Sequence, residues 1–80
     1  MVEELQFTIA GNKVQLSKRV VESAMRNVSP DKISRYSVRI SNTDYPIKQV
    51  VSVATGIPAI AFISTTAYRV LTHLGFSVKT

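Results

Sequence analysis

The sequence predicts a single α+β domain over residues 1–80, with elements in the order β-β-α-β-β-α-α-β. Three observations lead there. Apolar residues alternate on both sides of Gly11-Asn12, the pattern of a hairpin with one face buried. Two later segments repeat apolar residues at i, i+3, i+4 and i+7, the spacing of a helix packed along one side. Between them and the first hairpin, "YSVRISNTDY" combines short alternation with turn residues, as a second hairpin would. Two short helices with a hairpin beside them give the predicted fold a winged-helix-like character.

In "LQFTIAGNKVQLS", Phe7, Ile9, Val14 and Leu16 share one face, and Gln6, Thr8, Lys13 and Gln15 share the other. Gly11-Asn12 is read as the two-residue loop. Ser17 offers its hydroxyl as the N-cap of a helix from Lys18 to about Val28. Val20, Val21, Ala24, Met25 and Val28 line its apolar face, opposite Arg19, Glu22 and Arg26. "SPDK" ends that helix. Val38 and Ile40 then point one way from the strand "YSVRIS" and Arg39 the other, with Asp44 and Tyr45 closing the hairpin after the turn "SNTD".

The segment "YPIKQVVSVATGIP" has the valines of a buried strand and the punctuation of a helix. The helix wins. Ile47, Val50, Val51 and Ala54 form a helical stripe, and Pro46 suits the first helical position, where its missing N–H costs nothing. Gly56 suits the left-handed position after the helix, and Pro58 prevents continuation. The β-branched valines have poor intrinsic helicity, so tertiary packing must hold this segment. A second stripe, Ala67, Val70, Leu71 and Leu74, predicts the last helix, with Ser64, Thr65 or Thr66 as its cap and Gly75 at its end. Phe76 and Val78 share one face of the terminal strand.

Composition narrows the function. The chain has no cysteine, one histidine and five acidic residues. Disulfides and thiolate metal sites are excluded, and neither a metal nor another cofactor is expected. The longest uncharged run, Gln49 to Tyr68, is too rich in Gly, Pro, Ser and Thr to cross a bilayer, and no N-terminal signal pattern is present. A cytoplasmic protein with no membrane partner is the expectation. There is no paired-carboxylate spacing, no glycine-rich phosphate loop and no nucleophile beside a His-Asp pattern, so no catalytic residues are assigned. The formal net charge is +5, and Asp44 is the last acidic residue. Such a domain attracts polyanions, of which nucleic acid is the commonest.

Candidate contacts follow from the predicted elements. The exposed face of the last helix carries Thr65, Arg69 and Thr72, flanked by Thr66, Tyr68 and His73 and free of acids. Hydroxyls and an arginine so placed suit phosphates at a helix start and base edges in a major groove. Arg35, Tyr36, Arg39 and Asn42 place cationic, aromatic and amide groups on the second hairpin, with Lys48 close by. Lys18 and Arg19 open the first helix, where positive charge does not complement the dipole and an external use is implied. Ile57, Ile60, Phe62 and Ile63 exceed what a small core needs, so a homodimer through this connector is a further expectation.

The stretch "YSVRISNTDYPIKQVVSVATGIP", with Phe62 and "TTAYRVLTHLGFSV" after it, also resembles a known small module over residues 33–79. The matching positions are Tyr45, Pro46, Lys48, Ala54-Thr55-Gly56, Ala67, Arg69, Leu71 and Leu74-Gly75-Phe76. That module occurs alone in actinobacteria and at the N-terminus of Mcr-type restriction endonucleases that attack modified DNA. The resemblance implies a stand-alone, nucleoid-associated binder of double-stranded DNA, with readers of 5-methylcytosine as the expected type. An arginine bidentate to guanine can lay its guanidinium on a neighbouring cytosine methyl, and Arg35, Arg39 and Arg69 are the candidates for it. The rival class is a small oligomerising interaction module whose basic surface only aids solubility.

Overall fold

A computed structural model describes residues 4–32 and 35–79. The predicted order of elements is observed. Strands β1 (Leu5–Ile9) and β2 (Asn12–Leu16) form an antiparallel hairpin, followed by helix α1 (Lys18–Ala24). Strands β3 (Ser37–Ile40) and β4 (Thr43–Pro46) form a second hairpin, and helices α2 (Ile47–Thr55) and α3 (Ser64–His73) follow. A short 3-10 turn, Ala59–Ala61, joins the two helices, and β5 (Val78–Lys79) returns to β3. The fold is thus α+β with a two-stranded sheet and a three-stranded antiparallel sheet ordered β4-β3-β5.

α2 is the centre of the molecule, packed against both α1 and α3. Its stripe buries Ile47, Val50 and Val51, while Val53 stays outside. Tertiary contact therefore holds a segment whose valines would not sustain an isolated helix. The core is completed by Ile9 and Leu16 from the first hairpin, Val21 and Met25 from α1, Val38, Ile40 and Tyr45 from the second hairpin, and Ala67, Val70 and Leu71 from α3. Fixed polar contacts dock the α1–β3 connector on this centre. Gln49 Nε2 donates to the Ser29 carbonyl at 2.9 Å, Gln49 Oε1 accepts from the Asp31 N–H at 2.8 Å, and the Tyr45 hydroxyl donates to the Val28 carbonyl at 3.1 Å.

Several boundaries differ from the sequence expectation. The first loop is Ala10-Gly11, not Gly11-Asn12, with φ values of 51° and 80° as a type I′ turn requires. Asn12 instead opens β2 and donates its amide to the Ala10 carbonyl at 3.2 Å. The shift moves each cross-strand partner by two positions and leaves the faces unchanged. α1 ends at Ala24 rather than near Val28, because the chain tightens and Asn27 turns left-handed at φ 64°. Val28 still packs on the core from outside the helix. Pro46 is the N-cap of α2 and the last residue of β4 rather than the first helical residue, since its ψ of 138° is extended. β4 accordingly runs from Thr43 to Pro46, longer than Asp44 and Tyr45.

Candidate nucleic-acid interface

α3 organises the candidate site. Ala67, Val70 and Leu71 are buried against α2, which leaves Thr65, Tyr68, Arg69 and Thr72 exposed along the opposite side. These four stand at i, i+3, i+4 and i+7, so a straight polar stripe runs the length of the helix. No acidic residue lies anywhere in α3. Thr66, which the sequence placed with this group, is half-buried beside the stripe, and its N–H is bonded to the Ile63 carbonyl at 3.0 Å.

The C-terminal end of α3 is closed by its own backbone. The Phe76 N–H reaches the Leu71 carbonyl at 3.0 Å and the Gly75 N–H reaches the Thr72 carbonyl at 3.1 Å, the paired bonds of a Schellman motif. Gly75 takes φ 96°, a conformation that any side chain would strain. Lys18 packs here, its Nζ 5.3 Å from the centre of the Phe76 ring. Lys18 and Arg19 border a groove with His73 and Leu74, and Glu22 lines the same groove. His73 is held by an Nδ1 contact to the Arg69 carbonyl at 2.8 Å and by its ring edge against Phe7.

The N-terminal end of α3 is built differently. None of the three hydroxyls expected to cap it does so. Ile63 is the N-cap residue and makes no side-chain capping bond, because Ser64 and Thr65 already lie inside the first turn. Tyr36 meets Tyr68 edge to face at 5.9 Å, and Arg35 lies 5.6 Å over the Tyr36 ring. Tyr36, Ser64, Thr65 and Tyr68 line a shallow cleft of about 260 Å³. A smaller depression of about 70 Å³ adjoins it, bounded by Arg35, Tyr36, Pro46, Lys48 and Ser64. No acidic side chain is among the described residues lining either. Lys48 Nζ also sits 5.8 Å from the Phe62 ring.

The structure thus gathers Arg35, Tyr36, Lys48 and Thr65 at one end of α3, places Lys18 and Arg19 at the other, and leaves Arg69 on the stripe between them. Arg39 and Asn42 stand apart on the second hairpin. Arg39 is exposed as expected, yet its Nε contacts Asp44 Oδ1 at 3.3 Å across the strand pair. Asn42 is exposed in the left-handed turn with Ser41, at φ 67° and 50°, so the turn by itself accounts for its identity. Of the members of the cleft, the sequence reading gave Tyr68 only as a flank of the helix face and Ser64 only as a possible cap. Their i, i+4 spacing was visible, but the Tyr36–Tyr68 contact joins residues far apart in the chain.

The arrangement brings side chains of three chemical kinds to the two ends of one helix. Cations, hydroxyls and ring faces are present, and no group of three or more His, Asp or Glu side chains converges among the described residues. No helix among them is long and apolar enough to cross a membrane. No curated protein and no solved structure matches the chain. The model of one protein family, described as SCO5918-like, matches residues 5–80. The chain belongs to the SCO5918-like family.

Proposed function

We propose that the protein is a non-enzymatic binder of double-stranded DNA that presents α3 to the major groove, with the β3–β4 hairpin beside it in the manner of a wing. The observation that carries this reading is the acid-free stripe Thr65–Tyr68–Arg69–Thr72 with cations at both ends of its helix. Ten residues of helix span about 15 Å. A B-DNA major groove is about 12 Å wide, so cations at the two ends reach the phosphates on both sides of a groove that admits the helix. Arg35 and Lys48 serve one backbone and Lys18 and Arg19 the other, while Arg69 and Thr65 face the bases. The uncapped N–H groups of the first turn of α3 add a partial positive charge beside Arg35 and Lys48.

Arg69 is the arginine of choice for reading 5-methylcytosine. It is exposed on the stripe, whereas Arg35 is stacked on Tyr36 and Arg39 is paired with Asp44. The resemblance to modules of Mcr-type endonucleases supports modified DNA as the target and a place on the nucleoid as the location. The rival reading, an oligomerising interaction module, draws on Ile60 and Ile63, which face outward while Ile57 and Phe62 fold into the core.

Fluorescence anisotropy on matched duplexes, unmethylated and cytosine-methylated, separates these readings when titrated at several salt concentrations. About six phosphate contacts give a log K against log salt slope near −5. Tighter binding to the methylated duplex that persists as salt rises is the expected result, and Arg69→Ala is expected to lose about 1–3 kcal/mol together with that preference. Equal affinities would reduce the protein to a general backbone binder. Absence of binding to either duplex, with a tight oligomer in solution, would transfer the case to the interaction module.

A further inference from the structure

We infer that the cleft between α1 and the β3–β4 hairpin binds a small carboxylate with an apolar body. The inference is independent of the DNA-binding reading. The cleft holds about 560 Å³, within the roughly 300–1,000 Å³ of ligand pockets generally. Its floor is the core itself, formed by the buried side chains of Met25, Ile40 and Tyr45. The Tyr45 ring is held in place by its hydroxyl, which donates to the Val28 carbonyl at 3.1 Å. The rim is polar, with Arg19, Glu22 and Arg26 contributed by α1 and the turn after it, and Ser41 and Thr43 by the hairpin. An apolar floor supplies contact area, and a few polar groups above it fix the orientation of what is bound.

Charge selects the occupant. Two guanidiniums and one carboxylate leave the rim with a net positive charge. Neither arginine is ion-paired among the described residues. A guanidinium takes a carboxylate through paired hydrogen bonds. A dianion would gain less here, because Glu22 repels the added charge, and an uncharged molecule would leave both arginines unanswered. The rim also carries a residue that turn chemistry alone would not choose. Ser41 takes the first position of a type I′ turn at φ 50°, where glycine, asparagine and aspartate are favoured. Ala10 takes the same position in the first hairpin at φ 51°, so left-handed backbone marks no site by itself. The difference is that Ser41 brings a hydroxyl to a rim that also carries Thr43 and two guanidiniums. Ser41→Gly would relieve the turn and remove that hydroxyl, so stability and binding should move in opposite directions.

The test titrates the full chain, carrying methyl-labelled methionine, with naphthoate and follows the Met25 methyl resonance. The chain has two methionines, so the spectrum is simple. Naphthamide, the uncharged counterpart, and inorganic phosphate are the controls. Naphthoate is expected to shift the Met25 signal saturably, and both controls to bind at least about 10-fold more weakly. Arg26→Ala, which removes an exposed side chain, is expected to weaken naphthoate about 10-fold, and Glu22→Gln to tighten it about 3-fold. Ser41→Gly is expected to raise Tm by about 4 °C and weaken naphthoate about 3-fold, whereas Ala10→Gly raises Tm alike and leaves binding unchanged. A Met25 signal that naphthoate does not move would overturn the inference. So would naphthamide or phosphate binding as tightly as naphthoate, or an Arg26→Ala variant that binds as wild type does.

Discussion

The two ends of α3 carry the same kinds of side chain in different company. At the C-terminal end, Lys18 lies along the Phe76 ring, and the groove it shares with Arg19 is also lined by Glu22. At the N-terminal end, Arg35 and Lys48 stand beside two tyrosines and two hydroxyls, with no acid among the described residues lining the cleft. The backbone follows the same division. The C-terminal end satisfies its last carbonyls through a Schellman motif, and the N-terminal end offers its first N–H groups no side-chain cap. A phosphate approaching the first end meets a groove bordered by a carboxylate, and at the second end it meets a cleft with no carboxylate among its described lining residues. Counting lysines and arginines along the chain does not show this, because what matters is which of them share a groove with a carboxylate once the chain has folded.

Three variants sharpen the contrast. The largest effect is expected from Arg35→Ala with Lys48→Ala, which removes both cations at the open end. Two lost phosphate contacts would weaken DNA binding by about 10-fold or more and make the salt slope shallower by about 1.8. Thermal stability should barely change, since Arg35 is exposed and neither residue belongs to the core. Lys18→Ala with Arg19→Ala comes next, with an expected loss of about 3-fold in affinity, smaller because Glu22 already offsets part of that charge. Equal effects at the two ends would break the distinction drawn between them. Asp44→Asn is the smallest. It releases Arg39 from an exposed pair, whose side chains are 58% and 40% accessible, so stability should fall by less than about 1 kcal/mol. DNA affinity should rise about 2-fold, and isothermal titration on a short duplex would register it. A fall in affinity would show that Asp44 orients Arg39 for contact rather than restraining it.

Much of the fold was legible because periodicity reports which side of an element is buried. The stripe Ile47, Val50, Val51, Ala54 outweighed three valines in deciding for a helix, and Gly56 at φ 78° ends that helix as its identity implied. Turn placement was less legible. Gly11-Asn12 looks better suited to a type I′ turn than Ala10-Gly11, yet the strands pair Phe7 with Val14 and Leu5 with Leu16, which puts Ala10 in the turn at φ 51°; the alternation could not show this, because both registers keep the same residues on the same faces. The cap of α3 was misread for a related reason. Three hydroxyls in a row, Ser64 to Thr66, satisfy the compositional rule, but burial of Ala67, Val70 and Leu71 fixes the helix start, and the capping position falls on Ile63.

The candidate site was legible in its members and not in its grouping. Exposed cations and hydroxyls can be picked from a sequence, but the Tyr36–Tyr68 contact and the division of cations between the ends of α3 exist only after the chain has folded. The Arg39–Asp44 pair was also not read from the sequence, because the turn was taken over "SNTD"; the two-residue turn at Ser41-Asn42 is what puts these residues opposite one another.

The most direct test of the account is the salt dependence of DNA binding measured side by side for wild type, Arg35→Ala with Lys48→Ala, and Lys18→Ala with Arg19→Ala. The account predicts a steep wild-type slope near −5, the greatest loss of affinity at the N-terminal end of α3 and a lesser loss at the C-terminal end. A wild-type affinity that is undetectable at low salt, or that neither double substitution alters, would contradict it.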